Sequence, residues 1–84
     1  MRQPSPRVPL TPQEGWLSDG RRVLRFRPTR WDRHIQRLEI TSGELLPGEP
    51  VPLLKNRREI SRDEALKLWT ARRQEGWRPT QPQW

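Results

Sequence analysis

The stretch from Ser61 to Trp77 constrains this chain more than any other. It reads Ser61-Arg62-Asp63-Glu64-Ala65-Leu66-Lys67-Leu68-Trp69, then Arg72-Arg73-Gln74-Glu75-Gly76-Trp77. Ser61 followed three residues later by Glu64 is a capping box, and Ile60 before it can staple back onto the first turns. Ala65, Leu68, Trp69 and Arg72 recur at helical spacing and form one stripe, with Leu66 beside it. Asp63, Lys67, Thr70 and Gln74 line the opposite side, with Asp63 and Lys67 in the favourable i,i+4 order. Gly76 suits the position just past a helix end, where Arg72 and Arg73 complement the negative pole. A polar chain with so complete an amphipathic helix has a core for that helix to cover.

The size of that core is bounded. The chain has 84 residues, 30% of them hydrophobic, and 10 prolines. Residues 1–14 are expected to be a flexible, proline-rich tail. Pro6-Arg7-Val8-Pro9 fits P-x-x-P spacing there, as any proline-dense linker does. Residues 15–78 are expected to form a single small domain, and 79–84 an extended C-terminal tail. A domain of this size is marginal without a staple. With no cysteine there is no disulfide, and one histidine rules out the usual zinc knuckles. Tryptophan, or a partner, must supply what is missing. No apolar run reaches membrane-spanning length, and no secretory signal is recognisable. The expectation is a cytoplasmic protein that engages no membrane.

Ahead of the helix the pattern is that of strands. Trp16-Leu17-Ser18, Asp19-Gly20 and Arg21 to Arg27 read as a hairpin with a two-residue type I′ turn. Leu17, Arg22, Leu24 and Phe26 then share the core side. Trp16, Arg21, Val23, Arg25 and Arg27 share the other. Pro28-Thr29-Arg30 is expected to end the second strand, with Trp31-Asp32-Arg33 as a connection. His34 to Ile40 alternates again, with Leu38 and Ile40 on one side. Thr41-Ser42-Gly43 reads as a turn and Glu44-Leu45-Leu46 as a short fourth strand. Val51 to Leu54 is apolar, but its prolines confine it to an edge or a loop. The expected fold is α+β: a small antiparallel sheet of three to four strands with one C-terminal helix packed across it.

Leu53-Leu54, Arg57-Arg58, the Ser61–Trp69 helix start and Gly76-Trp77 together resemble a family of small marine-cyanobacterial proteins of unknown function, rich in tryptophan and arginine. Trp16-Leu17 and Val23 to Phe26 resemble that family's opening. The resemblance spans roughly residues 15–84. It implies a stand-alone domain in a cyanobacterial cytosol and no assigned activity.

Catalysis is a poor fit. His34 is the lone histidine, so a nucleophile has a single candidate base. Glu39, Glu44 and Glu49 recur every five residues, which suits neither a Ca²⁺ loop nor a helix face. No glycine-rich phosphate loop occurs. The expectation is a non-enzyme with no catalytic residue, no metal site and no cofactor.

Binding fits better. The net charge is +7, and fifteen of the 17 basic residues are arginine. Arginine's planar fork matches phosphate and carboxylate and stacks on aromatic rings. Arg21, Arg22, Arg25, Arg27, Arg30, Arg33 and Arg37 crowd one stretch opposed only by Asp32. A hairpin surface carrying Arg21, Arg25, Arg27, Arg30, Arg33 and Arg37, with Trp16 as the stacking ring, is the candidate nucleic-acid or polyanion site. The alternative partner is an acidic protein, with tryptophans filling its pockets. The competing reading is a solvated strand whose arginine stems cover apolar surface. Trp69 is expected in the core and Trp77 packed back on the fold. Trp16 and Trp31 are open between core and surface, and Trp84 is expected to be exposed.

Overall fold

A computed structural model describes residues 15–84; the proline-rich stretch 1–14 lies outside the described residues. The element order is β1 (Gly15–Ser18), β2 (Arg22–Asp32), β3 (Ile35–Glu44), β4 (Leu53–Ser61), α1 (Arg62–Gln74) and β5 (Arg78–Thr80). All neighbouring strands are antiparallel, in the order β4-β3-β2-β1-β5. The fold is therefore α+β, with a sheet of five strands rather than three to four. The helix is not the last element: Pro79 and Thr80 belong to β5, which returns to pair with β1.

The helix forms where its caps place it. The Ser61 side chain accepts from the Glu64 N–H and the Ser61 N–H donates to Glu64 at 3.1 Å, closing the capping box. Gly76 has φ +100, the left-handed conformation that ends helices. Trp77 turns back so that its indole is buried. Ala65 and Trp69 are the buried helix residues. They meet Leu17, Phe26, Leu38, Ile40 and Ile60 from the sheet in one core, with Leu24 and Leu68 packed at its margin. Phe26 stands edge-on to Trp69 at 5.0 Å.

The strands depart from the expected pattern in four places, each with a cause. Ser18 pairs with Val23 and Leu17 with Leu24, two residues out of the expected register. The Asp19 carboxylate accepts from the N–H groups of both Arg21 and Arg22, at 2.9 and 2.7 Å. That opens the turn to four residues in place of a type I′ pair. A slip of two preserves the faces, so Leu17, Leu24 and Phe26 still point to the helix. Second, β2 runs past Pro28 to Asp32 by way of a bulge between Pro28 and Arg30. The connection is the short turn at Arg33 and His34, with Arg33 at φ 60.

Third, Thr41-Ser42-Gly43 is no turn but the continuation of β3. Gly43 is there because another group comes close. A Cβ on it would lie 3.0 Å from the Trp84 ring. Fourth, Glu44-Leu45-Leu46 is not a fourth strand. The chain loops on and returns as β4, whose central residues Lys55 to Glu59 are all exposed. An edge strand needs no apolar alternation, and its charges deter pairing with other chains.

Candidate polyanion-binding face

The helix covers one side of the sheet. Strand register defines the other. Trp16, Arg25, Thr41 and Arg57 lie in one cross-strand row, Arg27, Glu39 and Glu59 in the next, and Arg30 beside Arg37 in a third. Rows on one face are about 7 Å apart. Of the expected site residues, Arg25, Arg27, Arg30 and Arg37 thus share this outer face. Arg57 joins them from β4, and nothing in the sequence pattern marked it, because that strand carries no alternation to reveal it.

Two expected members are placed elsewhere, and a third is covered. Arg21 sits at the β1–β2 turn and lines a hollow with Leu45 and Pro47. Arg33 is at the opposite end, in the β2–β3 turn, with His34 exposed beside it. Trp16 is on the right face but is 6% exposed. The Trp84 ring meets it edge-on at 4.5 Å and the Arg25 guanidinium lies 5.0 Å from its centroid. With these neighbours the ring is buried, so Trp16 is not free to stack on a base. Trp84, expected to be exposed, is partly buried for the same reason. Trp31 is 66% exposed near the end of the β2–β3 hairpin, but it pairs with Gln36 and so lies on the helix side, out of phase with Arg30 and Arg37.

Acids are interleaved with the arginines. Glu39 bridges Arg27 at 3.5 Å and Arg57 at 3.6 Å, and Glu59 pairs with Arg30 at 3.0 Å. Pairs this exposed contribute about 0–1 kcal/mol each. Their effect is to hold guanidinium planes in place while arginines still outnumber carboxylates. Arg25 and Arg37 each keep a buried Nε with no hydrogen-bond partner among the described residues.

The carboxylates respond to these neighbours. The Thr29 hydroxyl and the Arg30 guanidinium donate to Glu59 at 2.8 and 3.0 Å and hold its carboxyl below the usual range. Glu64 is lowered by the Ser61 N–H and hydroxyl. At Asp19 burial opposes ionisation, but the N–H groups of Arg22 and Arg21 and the Arg22 guanidinium outweigh it, lowering the pKa from 3.8 to about 2. A depressed carboxylate stabilises the fold above its unfolded pKa, and that stability is lost as pH falls through the folded value. Melting temperature is therefore expected to fall steeply between about pH 4 and pH 2. Asp19→Asn should flatten the lower part of that descent. An unchanged slope in the Asn variant would show that Asp19 does not carry it.

Among the described residues no group of three or more His, Cys, Asp or Glu is placed to hold a metal ion, and no helix is long and apolar enough to cross a membrane. The family described as a protein of unknown function, DUF1651, matches residues 14–84. No curated protein and no solved structure matches the chain.

Proposed function

We propose that this chain, which belongs to the DUF1651 family of proteins of unknown function, is a small non-catalytic binding module for nucleic acid or a similar polyanion in the cytoplasm. The observation that carries the reading is the convergence of Arg25, Arg27, Arg30, Arg37 and Arg57 on the side of the sheet away from the helix, against Glu39, Glu59 and, at the hairpin end, Asp32. Regularly spaced guanidinium groups on a rigid sheet suit a repeating phosphate backbone and carry no base readout of their own. The face offers charge rather than stacking: Trp16 is buried, and Trp31, exposed at the hairpin end, pairs with Gln36 and so lies on the helix side of the sheet.

The test is binding to heparin and to random-sequence oligonucleotides as salt is raised. Affinity is expected at about 50 mM salt and should fall by about 0.9 in log K per log salt for each duplex phosphate contacted. Arg27→Gln with Arg57→Gln should weaken binding about tenfold or more with little change in melting. No binding at low salt would end the reading. Lost folding in the double variant would make these arginines structural.

A second reading, an acidic protein partner, draws on Leu53, Leu54 and Val51, all exposed at the start of the β4 edge near Lys55 and Arg57. It gains if heparin fails to bind and a defined acidic protein co-purifies, with the association weakened by Leu54→Ser.

A further inference from the structure

The helix side of the sheet is not uniformly apolar. Leu17, Leu24, Phe26, Leu38, Ile40 and Ile60 occupy it toward one end. Toward the other end the register brings Ser42 and Asn56 beside Leu24, and Arg58 beside Ile40. These are positions that a covering helix would ordinarily require to be large and apolar. The C-terminal half of α1 passes above them and leaves a cleft of about 430 Å³. Its floor is Leu24 and Ile40, and Leu68 reaches in from the helix. That volume lies within the range of small-molecule sites, about 300–1,000 Å³.

The rim is cationic. Arg22, Lys55, Arg58 and Arg72 line it, with Glu44 as the one lining acid. Arg22 and Arg72 are held in place, lying 5.1 and 5.8 Å from the Trp77 ring and pairing with Asp19 and Glu75 at 3.0 Å. Lys55 is loosely tied to Glu44 at 3.5 Å. Arg58 has no ion pair among the described residues. An apolar floor under a fixed cationic rim, with one guanidinium uncommitted, selects an occupant that is apolar in its body and anionic at one end.

We propose that this cleft binds a small anionic ligand with a planar apolar body, of about mononucleotide size, its anionic group on Arg58 and Lys55 and its body on Leu24, Ile40 and Leu68. The site is separate from the outer sheet face and does not depend on it.

The probe is anilinonaphthalene sulfonate, an aromatic anion, titrated onto the full chain by fluorescence and by NMR. The expected result is saturable binding with one probe per chain. Shifts should centre on the Leu24, Ile40 and Leu68 methyls and the Trp77 indole. Arg58→Gln, at an exposed position, should weaken binding about tenfold without changing the melting temperature. Arg27→Gln with Arg57→Gln should leave it unchanged. Inorganic phosphate that competes as well as an aromatic anion would overturn the proposal, because the apolar floor would then contribute nothing. So would shifts centred on the outer face, or an Arg58→Gln variant that binds as tightly as the wild type.

Discussion

Trp69→Ala is expected to leave little folded protein at room temperature. The indole is 2% exposed and stands edge-on to Phe26 at 5.0 Å, in the middle of the core. Truncating a buried tryptophan costs about 3–5 kcal/mol in transfer and cavity terms. A domain of this size has about 4–10 kcal/mol in total, so the loss takes most of it. No disulfide is available to hold what remains. Far-UV circular dichroism and a urea titration would check this. Trp31→Ala is the matched control, since its ring is exposed and its removal should stay within about 0.5 kcal/mol. A Trp69→Ala protein that melts like the wild type would mean that the helix does not dock on the sheet through this residue.

The helix was legible because its signals are local and redundant. Ser61, Glu64 and Gly76 each act within one turn of themselves, and Ala65 and Trp69 repeat the stripe. Tertiary contacts had nothing to override. The strands were legible only as faces. Period-two alternation assigns Leu17, Leu24 and Phe26 to one side whatever the turn does. The register depends on how one side chain, Asp19, bonds to two backbone N–H groups, and composition does not encode that choice. Strand β4 was hidden because an exposed edge has no buried side to write a pattern. Gly43 looked like a turn residue because a glycine in a strand and a glycine in a turn are the same letter. What separates them is the Trp84 indole, from the far end of the sequence.

The same logic explains what could be read of the candidate site. Arg25, Arg27 and Arg37 follow from alternation alone, because each keeps step with a neighbour already assigned to a face. Arg57 needed β4. Trp16 was rightly put on the outer side, but its availability depended on Trp84, a residue whose terminal position suggested exposure. Covering Trp16 also changes what the outer face offers. It becomes a surface of charge without an open ring, since the exposed Trp31 pairs with Gln36 and belongs to the helix side.

Gly43→Val is expected to expel Trp84 from the sheet and to destabilise the domain by about 2–3 kcal/mol. The backbone itself is no obstacle. Gly43 is not among the residues with positive φ, and valine favours strands. The obstacle is space. A Cβ would stand 3.0 Å from Trp84 Cζ3, 3.3 Å from Cη2 and 3.4 Å from the Leu53 carbonyl oxygen. A terminal side chain can yield, so the ring leaves and its edge-on contact with Trp16 goes with it. That contact is worth about 0.5–1.5 kcal/mol beyond the area it buries. The cover over Trp16 is lost as well, and Val23, which pairs with Gly43 and is fully buried, loses its shelter at the same margin. A double-mutant cycle isolates the interaction. In a Trp84→Ala background Gly43→Val should be nearly neutral or slightly stabilising, giving a coupling of about 1–3 kcal/mol. Urea titration of the four proteins measures it, and the tryptophan emission of Gly43→Val should shift to the red as the indole enters water. Simple additivity of the two substitutions would show that the C-terminal ring does not rest on this glycine, and that something other than Trp84 closes the outer face over Trp16.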